Sequence, residues 1–113
     1  MTDAYETAAQ ALLAEPGVEA GTMMKTPCLR YRGDFLGMLF EREDALIVKL
    51  APERVQALVA GGQGNWFKFT GKTFREWLLV PRDLESEYEG FLREALAYAI
   101  SRRNQTSTKT KRK

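Results

Sequence analysis

Residues 29–40 read LRYRGDFLGMLF and predict a β-hairpin. Apolar and basic side chains alternate over residues 29–32, which is the period of a strand with one buried face. Gly33-Asp34 provides a turn signal, and Phe35–Phe40 follows as a strand with apolar side chains on both faces. Strands joined by so short a turn run antiparallel, so the hairpin predicts an antiparallel sheet.

Further strands and helices are predicted on both sides of this hairpin. The predicted elements are a helix over 3–14, strands over 22–25, 29–32, 35–40 and 45–50, a helix that begins at Pro52, strands over 66–70 and 76–80, and a helix over 84–103. Pro27 is expected to interrupt the strand that begins at residue 22, and Asp83 to cap the last helix. The order α-β-β-β-β-α-β-β-α predicts an α+β fold of two layers, an antiparallel sheet of about five to six strands packed by three helices.

Each predicted helix has an apolar face that would pack on the sheet. These faces comprise Tyr5, Ala8, Ala9, Leu12 and Leu13 in the first helix, Val55, Leu58 and Val59 in the second, and Leu84, Tyr88, Phe91, Leu92, Ala95 and Ala99 in the third. The spacing of these residues follows the 3.6-residue helical period. The sequence therefore predicts a single core between the helices and one face of the sheet.

Charge divides the chain into an acidic body and a basic tail. Residues 101–113 hold six of the 17 Lys and Arg residues and no acid, which leaves 11 basic and 15 acidic residues in the first hundred. No apolar residue follows Ile100, so the tail cannot contribute to a core. We therefore expect one folded domain over residues 1–103 and a disordered basic tail over residues 104–113.

The scarcity of histidine and cysteine excludes several kinds of site. The chain has no histidine, and Cys28 is its one cysteine, so it offers no imidazole base, no His-ligated zinc and no internal disulfide. Cys28 is interpreted as a buried thiol, with the alternative that Lys25 or Arg30 activates it. No catalytic residue, metal ligand or cofactor is predicted.

Neither a membrane span nor a secretion signal is predicted. No apolar run approaches the roughly 20 residues that cross a bilayer. Residues 1–14 lack the basic start and apolar run of a signal peptide. With a single cysteine, these features predict a cytoplasmic protein without membrane contact.

Two of the predicted strands are apolar on both faces and need a cover on each side. The helices would provide one cover. Either the sheet curls and hides its second face itself, or a second copy or another protein covers it. The candidate interface residues are Phe35, Met38, Phe40, Trp77 and Leu79.

Basic residues provide a second candidate surface. Arg30, Arg32 and Lys49, with Lys25 and Lys68, are expected to share one polar sheet face that could hold an anion. With the tail, the candidate contacts for an anion or a nucleic acid are Lys25, Arg30, Arg32, Lys49, Arg102, Arg103, Lys109, Lys111, Arg112 and Lys113. Because the body is acidic, contact with nucleic acid would be weak and non-specific. Solvated strand charges that prevent edge aggregation are the alternative interpretation.

The chain resembles the N-terminal domain of TfoX and the related MmcQ/YjbR-like small proteins. The resemblance covers about residues 5–100 and rests on MMKTPCLRYRGDFLGMLF at 23–40, LIVKL at 46–50, the helix led by Pro52, the Gly-rich loop with Phe67 or Phe69, and Glu76-Trp77 leading a strand into Pro81. It implies a small antiparallel α+β fold and a regulatory role, and relatives of this kind are often labelled DNA-binding. It implies no catalytic residues, and the chain lacks the second domain of the full TfoX regulators.

The sequence therefore favours a non-enzymatic binding or regulatory module that contacts a protein partner, or a second copy in a homodimer, through a sheet face. The alternative is an accessory DNA-binding protein that uses the basic tail and the face of Arg30, Arg32 and Lys49.

Overall fold

The computed structural model describes residues 4–23, 25–40, 44–69 and 71–112, with side chains as far as Arg103 except at position 69. The elements are α1 (Ala4–Leu13), β1 (Val18–Met23), β2 (Thr26–Tyr31), β3 (Asp34–Phe40), β4 (Ala45–Lys49), α2 (Pro52–Ala60), β5 (Asn65–Phe69), β6 (Lys72–Pro81) and α3 (Tyr88–Arg112). They form an open, six-stranded antiparallel sheet with three helices. The predicted fold class and element order are confirmed.

The strands lie in the order β1-β2-β3-β4-β6-β5, and all neighbours are antiparallel. The first four strands pair one after another in chain order. The chain then crosses through α2 to the far edge and returns in β6, which pairs with β4. As a result, β3 and β4 lie at the centre of the sheet, where both of their faces are buried.

All three helices contribute to one core with a single face of the sheet. The helical members of that core are Ala8, Ala9, Leu12, Val55, Leu58, Tyr88, Phe91, Leu92, Ala95, Leu96 and Ala99. The apolar faces predicted for the three helices are therefore confirmed. Burial of these side chains is the main stabilising contribution, at roughly 25 cal/mol per Å² of apolar area.

A glycine lets α3 approach the centre of the sheet. A Cβ built on Gly37 of β3 would lie 2.7 Å from Leu92 Cδ2 and 2.7 Å from the carbonyl oxygen of Ile47. Both distances are shorter than van der Waals contact. Leu92 is fully buried against this position, so the missing side chain of Gly37 sets the distance between helix and sheet.

The prediction that Pro27 interrupts a strand is wrong. Pro27 lies inside β2, opposite Thr22 of β1, and β1 begins at Val18 instead of residue 22. The Arg32 N–H donates to the Gly17 carbonyl at 3.0 Å, and hydrogen-bonded pairs alternate from there. The Thr22–Pro27 pair is therefore a non-hydrogen-bonded pair of the β1–β2 ladder, so the backbone nitrogen of Pro27 faces away from β1. On the other side, the pairing of β2 with β3 begins only at Cys28. Proline is tolerated at this position because neither neighbouring strand would have accepted a hydrogen bond from its nitrogen.

The last helix also differs from the prediction. Arg82–Glu87 form a 3₁₀ segment in which Leu84 departs from helical geometry (φ −106°, ψ 25°), so α3 begins at Tyr88 and Asp83 does not cap it. Helical backbone continues to Arg112, past the end predicted at residue 103. The side chains of 104–112 and all of residue 113 lie outside the described residues, and the disorder of this tail stays a prediction.

Replacing Gly37 by alanine should destabilise the protein because the new methyl group has no space beneath Leu92. Overpacking of this kind costs about 1–3 kcal/mol, which urea unfolding followed by circular dichroism would measure. Gly90→Ala is the matched control, since nothing lies within 4 Å of its Cβ position and alanine favours a helix. Equal stability of the two variants would contradict the role assigned to Gly37.

Candidate binding face

The sheet face opposite the helices, the helix-free face, carries a second apolar cluster. Its buried members are Cys28, Phe35, Met38, Ile47 and Phe67, and Met23, Phe40, Phe74, Trp77 and Leu79 pack around them. No residue of a described helix belongs to this cluster. The helix-free face is therefore covered, so far as the described residues show, by side chains of the sheet itself.

The strand register arranges this face in rows. Cys28, Met38, Ile47 and Leu79 are successive cross-strand partners and form a central apolar row. Beside this row, Arg30 pairs with Phe35 and Lys49 pairs with Trp77, so a basic residue lies next to an aromatic one at two places on the face. Side chains in such rows are close enough to contact each other.

Aromatic rings cover much of the helix-free face. The rings of Phe35 and Trp77 lie 4.9 Å apart although β4 separates their strands, which at the usual spacing are about 10 Å apart. Phe67 lies 5.4 Å from each of Phe40, Phe74 and Trp77. Phe74 and Trp77 are stacked at 5.1 Å. The rings lean towards each other over the intervening strands, and this buries Ile47 completely.

The five candidate interface residues lie together on this face. Phe35 and Met38, with exposures of 7% and 1%, are buried within the chain and offer little to a partner. Phe40, Trp77 and Leu79 are only partly buried. The surface that remains for a partner is therefore smaller than the sequence predicted and lies towards β6.

Sequence reasoning missed Met23, Phe67 and Phe74 as members of this face. Phe74 and Trp77 are three residues apart, so strict alternation would place them on opposite faces. A register shift opposite Trp66 and Phe67 brings both to the same side. At this shift the pairing passes from Trp66–Leu78 to Phe67–Phe74, which leaves residues 75–77 of β6 without partners on β5.

Arg30 lies on the helix-free face and reaches the edge of the sheet. Its side chain crosses Gly21 of β1, where a Cβ would lie 3.0 Å from the Arg30 Nε. The guanidinium donates to the carbonyls of Thr22 at 3.1 Å and Gly33 at 3.2 Å. By the pairing described above, the Thr22 carbonyl points away from β2. Arg30 thus partly satisfies the open edge, as the interpretation of protective strand charges expects.

Lys49 shares the helix-free face with Arg30, because Lys49 follows Ile47 by two residues on β4 and pairs with Trp77. Within the described part of the chain, neither cation forms an ion pair with a carboxylate. Glu19 is the cross-strand partner of Arg30 and supplies one negative charge to the same row. Lys25 lies in the β1–β2 turn with φ 64°.

The structure does not bring the other candidate cations to this face. Arg32 lies in the β2–β3 turn, and its guanidinium is 5.7 Å from the ring of Tyr31, which packs on the helix side. The expectation that Arg32 shares a face with Arg30 is therefore wrong, because the turn ends the alternation. Arg102 lies over the Tyr98 ring at 5.5 Å, and Arg103 is 3.5 Å from Asp34.

The remaining candidates are not placed on the helix-free face either. Lys68 follows Phe67 on β5, and alternation directs it to the opposite side. The side chains of Lys109, Lys111 and Arg112, and all of Lys113, lie outside the described residues.

Arginines on and around the helices have acidic partners. Arg54 pairs with Glu94 at 2.5 Å, and Arg93 with Glu15 and Glu89 at 2.9 Å each. Arg82 pairs with Asp44 at 3.0 Å and Glu85 at 3.4 Å. Exposed pairs add little stability. Not every cation on this side is paired, since Arg102 of α3 lies over the Tyr98 ring and has no carboxylate partner among the described residues.

Two surface cavities are lined by residues that the structure describes. One, of about 210 Å³, lies where the helix-free face meets the β5 edge of the sheet and is lined by Phe40, Phe67 and Leu79 together with Trp66 and Lys68. The other, of about 330 Å³, lies between α1 and the first three strands and includes Tyr5, Pro27 and Leu39 in its lining. The first is below the roughly 300–1,000 Å³ of small-molecule pockets and suits a single side chain.

The perturbed pKa values reflect burial and packing. Burial raises the pKa of the Cys28 thiol, and this outweighs the lowering effect of Arg30. Burial raises the pKa of Tyr5 to about 12, and burial with the hydrogen bond to Glu76 raises that of Tyr98 to about 12. Cys28 is therefore interpreted as a structural thiol, as the sequence favoured.

Metal-binding and membrane-spanning features are absent from the part of the chain that the structure describes. In that part, no group of three or more His, Cys, Asp or Glu residues could hold a metal ion, and no helix is long and apolar enough to cross a membrane.

No family model, curated protein or solved structure matches this chain. The resemblance to the TfoX N-terminal domain therefore stays a prediction.

Cys28 in the folded protein should react slowly with the thiol reagent DTNB. Burial both hides its sulfur and disfavours the thiolate that reacts. The absorbance of the released thionitrobenzoate should rise much more slowly at pH 8 without urea than in urea. Equally fast labelling under both conditions would contradict the structural interpretation of this thiol.

The two tyrosines predict a loss of stability at high pH. Their pKa values are raised from 10.0 to about 12 by folding, so their contribution is present below pH 10 and is lost as the pH rises through 12. Urea unfolding between pH 9 and pH 12 should show this decline, with a smaller decline in Tyr98→Phe. An unchanged pH dependence in that variant would contradict the raised pKa of Tyr98.

Proposed function

We propose that this protein is a non-enzymatic binding module that contacts a protein partner through its helix-free face. The observation that carries the proposal is the apolar and aromatic surface at Phe40, Phe74, Trp77 and Leu79, which the described helices leave uncovered. Aromatic residues of this kind are enriched at the centres of protein interfaces.

The burial of the two sheet faces supports this proposal. Leu78 and Val80 on the helix side are fully buried, whereas Trp77 and Leu79, which alternate with them on β6, are only partly buried. Trp77 already packs in the ring cluster, and the outer parts of Trp77 and Leu79 are the apolar surface that is left for a partner. A partner that covers them would gain about 25 cal/mol per Å² of apolar surface removed from water.

The chemistry of the chain also favours binding over catalysis. It has no histidine, and its one thiol is buried with a raised pKa. The cavity on the helix-free face is lined by Phe40, Trp66, Phe67 and Leu79 with Lys68, so among its described lining residues one amine has no second acid or base beside it for proton transfer. A regulatory role through protein contact is consistent with these features.

Site-specific photo-crosslinking in cells tests this proposal. p-Benzoylphenylalanine at position 74 or 79 should give a discrete crosslinked species, because both side chains lie on the helix-free face. The same probe at position 100 is the matched control, since Ile100 is an exposed apolar residue of α3, 38% exposed. Trp77→Ala should reduce the crosslinks from position 79.

Three outcomes would count against the proposal or refine it. Crosslinks of equal yield from positions 79 and 100 would show that the face is not selective and would contradict it. A crosslinked species twice the mass of the chain, with a dimer in light scattering, would identify a second copy as the partner. Crosslinks to nucleic acid alone would favour the second candidate function.

The second candidate is accessory DNA binding through the tail and the cations of the helix-free face. It is favoured by the six basic residues of 101–113 and by the unpaired charges of Arg30 and Lys49. A long-range field from the acidic body opposes it, so the interaction would be non-specific and salt-dependent.

A truncation series tests this second candidate. We expect the full chain to bind duplex DNA only at low salt, and removal of residues 104–113 to abolish the binding measured by fluorescence anisotropy. Sequence-dependent binding that survives both moderate salt and truncation would show that the folded body reads DNA, which would overturn the first proposal.

A further inference from the structure

We infer that the helix-free face binds an extended acidic segment of another protein, with one apolar side chain of that segment in the 210 Å³ cavity and carboxylates on Lys49 and Arg30. This inference rests on the proposed function and specifies the partner of the same face.

The apolar part of the contact follows from the cavity. Phe40, Phe67 and Leu79 line it, and Phe40 and Leu79 are partly exposed at its mouth. Its volume suits one side chain of the partner. An aromatic or branched aliphatic side chain would complete the ring cluster at this position.

The charged part follows from the strand register. Lys49 pairs with Trp77, and Leu79 lies two residues further along β6, a distance of about 7 Å. Side chains two residues apart on an extended peptide have the same spacing and point to the same side. A peptide with an apolar residue at one position and a carboxylate two positions away would therefore engage both the cavity and Lys49.

Arg30 is the second cation of this face. It lies two strands from Lys49, and its side chain extends over Gly21 towards the β1 edge, so it would meet a carboxylate of the segment further from the cavity. Lys49 and Arg30 have no carboxylate partner among the described residues, and Glu19 is the acid paired across the strands with Arg30. The two cations against one acid leave a small local excess of positive charge on this face, which favours an acidic partner.

Charge argues against a second copy of the chain as the partner on the helix-free face, and the small exposure of the rings argues against single-stranded nucleic acid. A second copy would bring the same positive excess to the contact and would not neutralise it. Single-stranded nucleic acid needs free ring faces for its bases, and here Phe35 and Phe67 are 7% and 2% exposed while Phe74 and Trp77 stack on each other.

The test uses fluorescein-labelled probes and fluorescence anisotropy on the full chain. A random copolymer of glutamate and tyrosine supplies carboxylates with aromatic side chains, polyglutamate supplies carboxylates alone, and a thirty-residue oligo-dT represents single-stranded nucleic acid. We expect the copolymer to bind most tightly at low salt. Affinity should fall about two- to fivefold in Lys49→Gln and in Arg30→Gln, the range of an exposed ion pair.

Matched variants separate this site from general electrostatics. Glu19→Gln should tighten binding of the copolymer, because Glu19 competes for the same row. Arg54→Gln changes the net charge by the same amount as Lys49→Gln but lies on α2, and should leave binding unchanged. Leu79→Ser should lower binding of the copolymer to the level of polyglutamate, and Ile100→Ser should have no effect. Circular dichroism of each variant verifies that it is folded.

Several results would overturn the inference. One is an equal loss of copolymer affinity in Lys49→Gln and Arg54→Gln, and another is equal affinity for the copolymer and polyglutamate. Tighter binding of oligo-dT than of the copolymer, if it depends on Lys49, would also overturn it. So would a dimer in light scattering that Leu79→Ser dissociates. If the copolymer does not bind while crosslinks from positions 74 and 79 persist in cells, the acidic partner is refuted and the proposed function stands. If those crosslinks are also absent, both fail.

Discussion

The packing of α3 on the centre of the sheet is the contact on which the rest of the structure depends. Leu92 of α3 lies over Gly37 of β3, at a separation that no side chain larger than glycine would allow at position 37. This close approach seals the helix side of the two central strands, where Leu46 and Val48 are fully buried. The other two helices pack beside α3 and complete that core.

The same central strands are apolar on their second face, and that face has a different cover. Ile47 is buried there by rings that lean across the sheet from neighbouring strands. Rings at the margin remain partly exposed because no described helix lies above them. This face also carries Arg30 and Lys49, which have no carboxylate partner among the described residues. The proposed binding function depends on the combination of partly exposed apolar side chains with these two cations on one face.

Much of the fold was predictable because local signals agreed with the tertiary arrangement. The turn signal at Gly33-Asp34 predicted an antiparallel hairpin, which the structure has with its turn one residue earlier, at Arg32 and Gly33. The apolar spacing of α3 identified the side that packs on the sheet. The five residues singled out from strands apolar on both faces do lie together on the helix-free face, although Met23, Phe67 and Phe74 of the same cluster were missed. The prediction failed where alternation breaks. Arg32 leaves the strand at the turn, and a register shift in β6 turns Phe74 to the side of Trp77. Pro27 lies within β2 because the pairing of β2 with its neighbours requires no hydrogen bond from the backbone nitrogen at that position. The residue type alone does not show this.

The sequence by itself determined the class of fold, the sides of the helices that are buried, and the absence of histidine chemistry. These depend on composition and on periodicities of two and 3.6 residues, which are local. Only the tertiary structure decided which cations share a face, how far the aromatic rings cover it, and where a cavity for one side chain remains. Those features depend on strand order and register between residues far apart in the chain, because a shift of one residue in pairing moves a side chain to the opposite face.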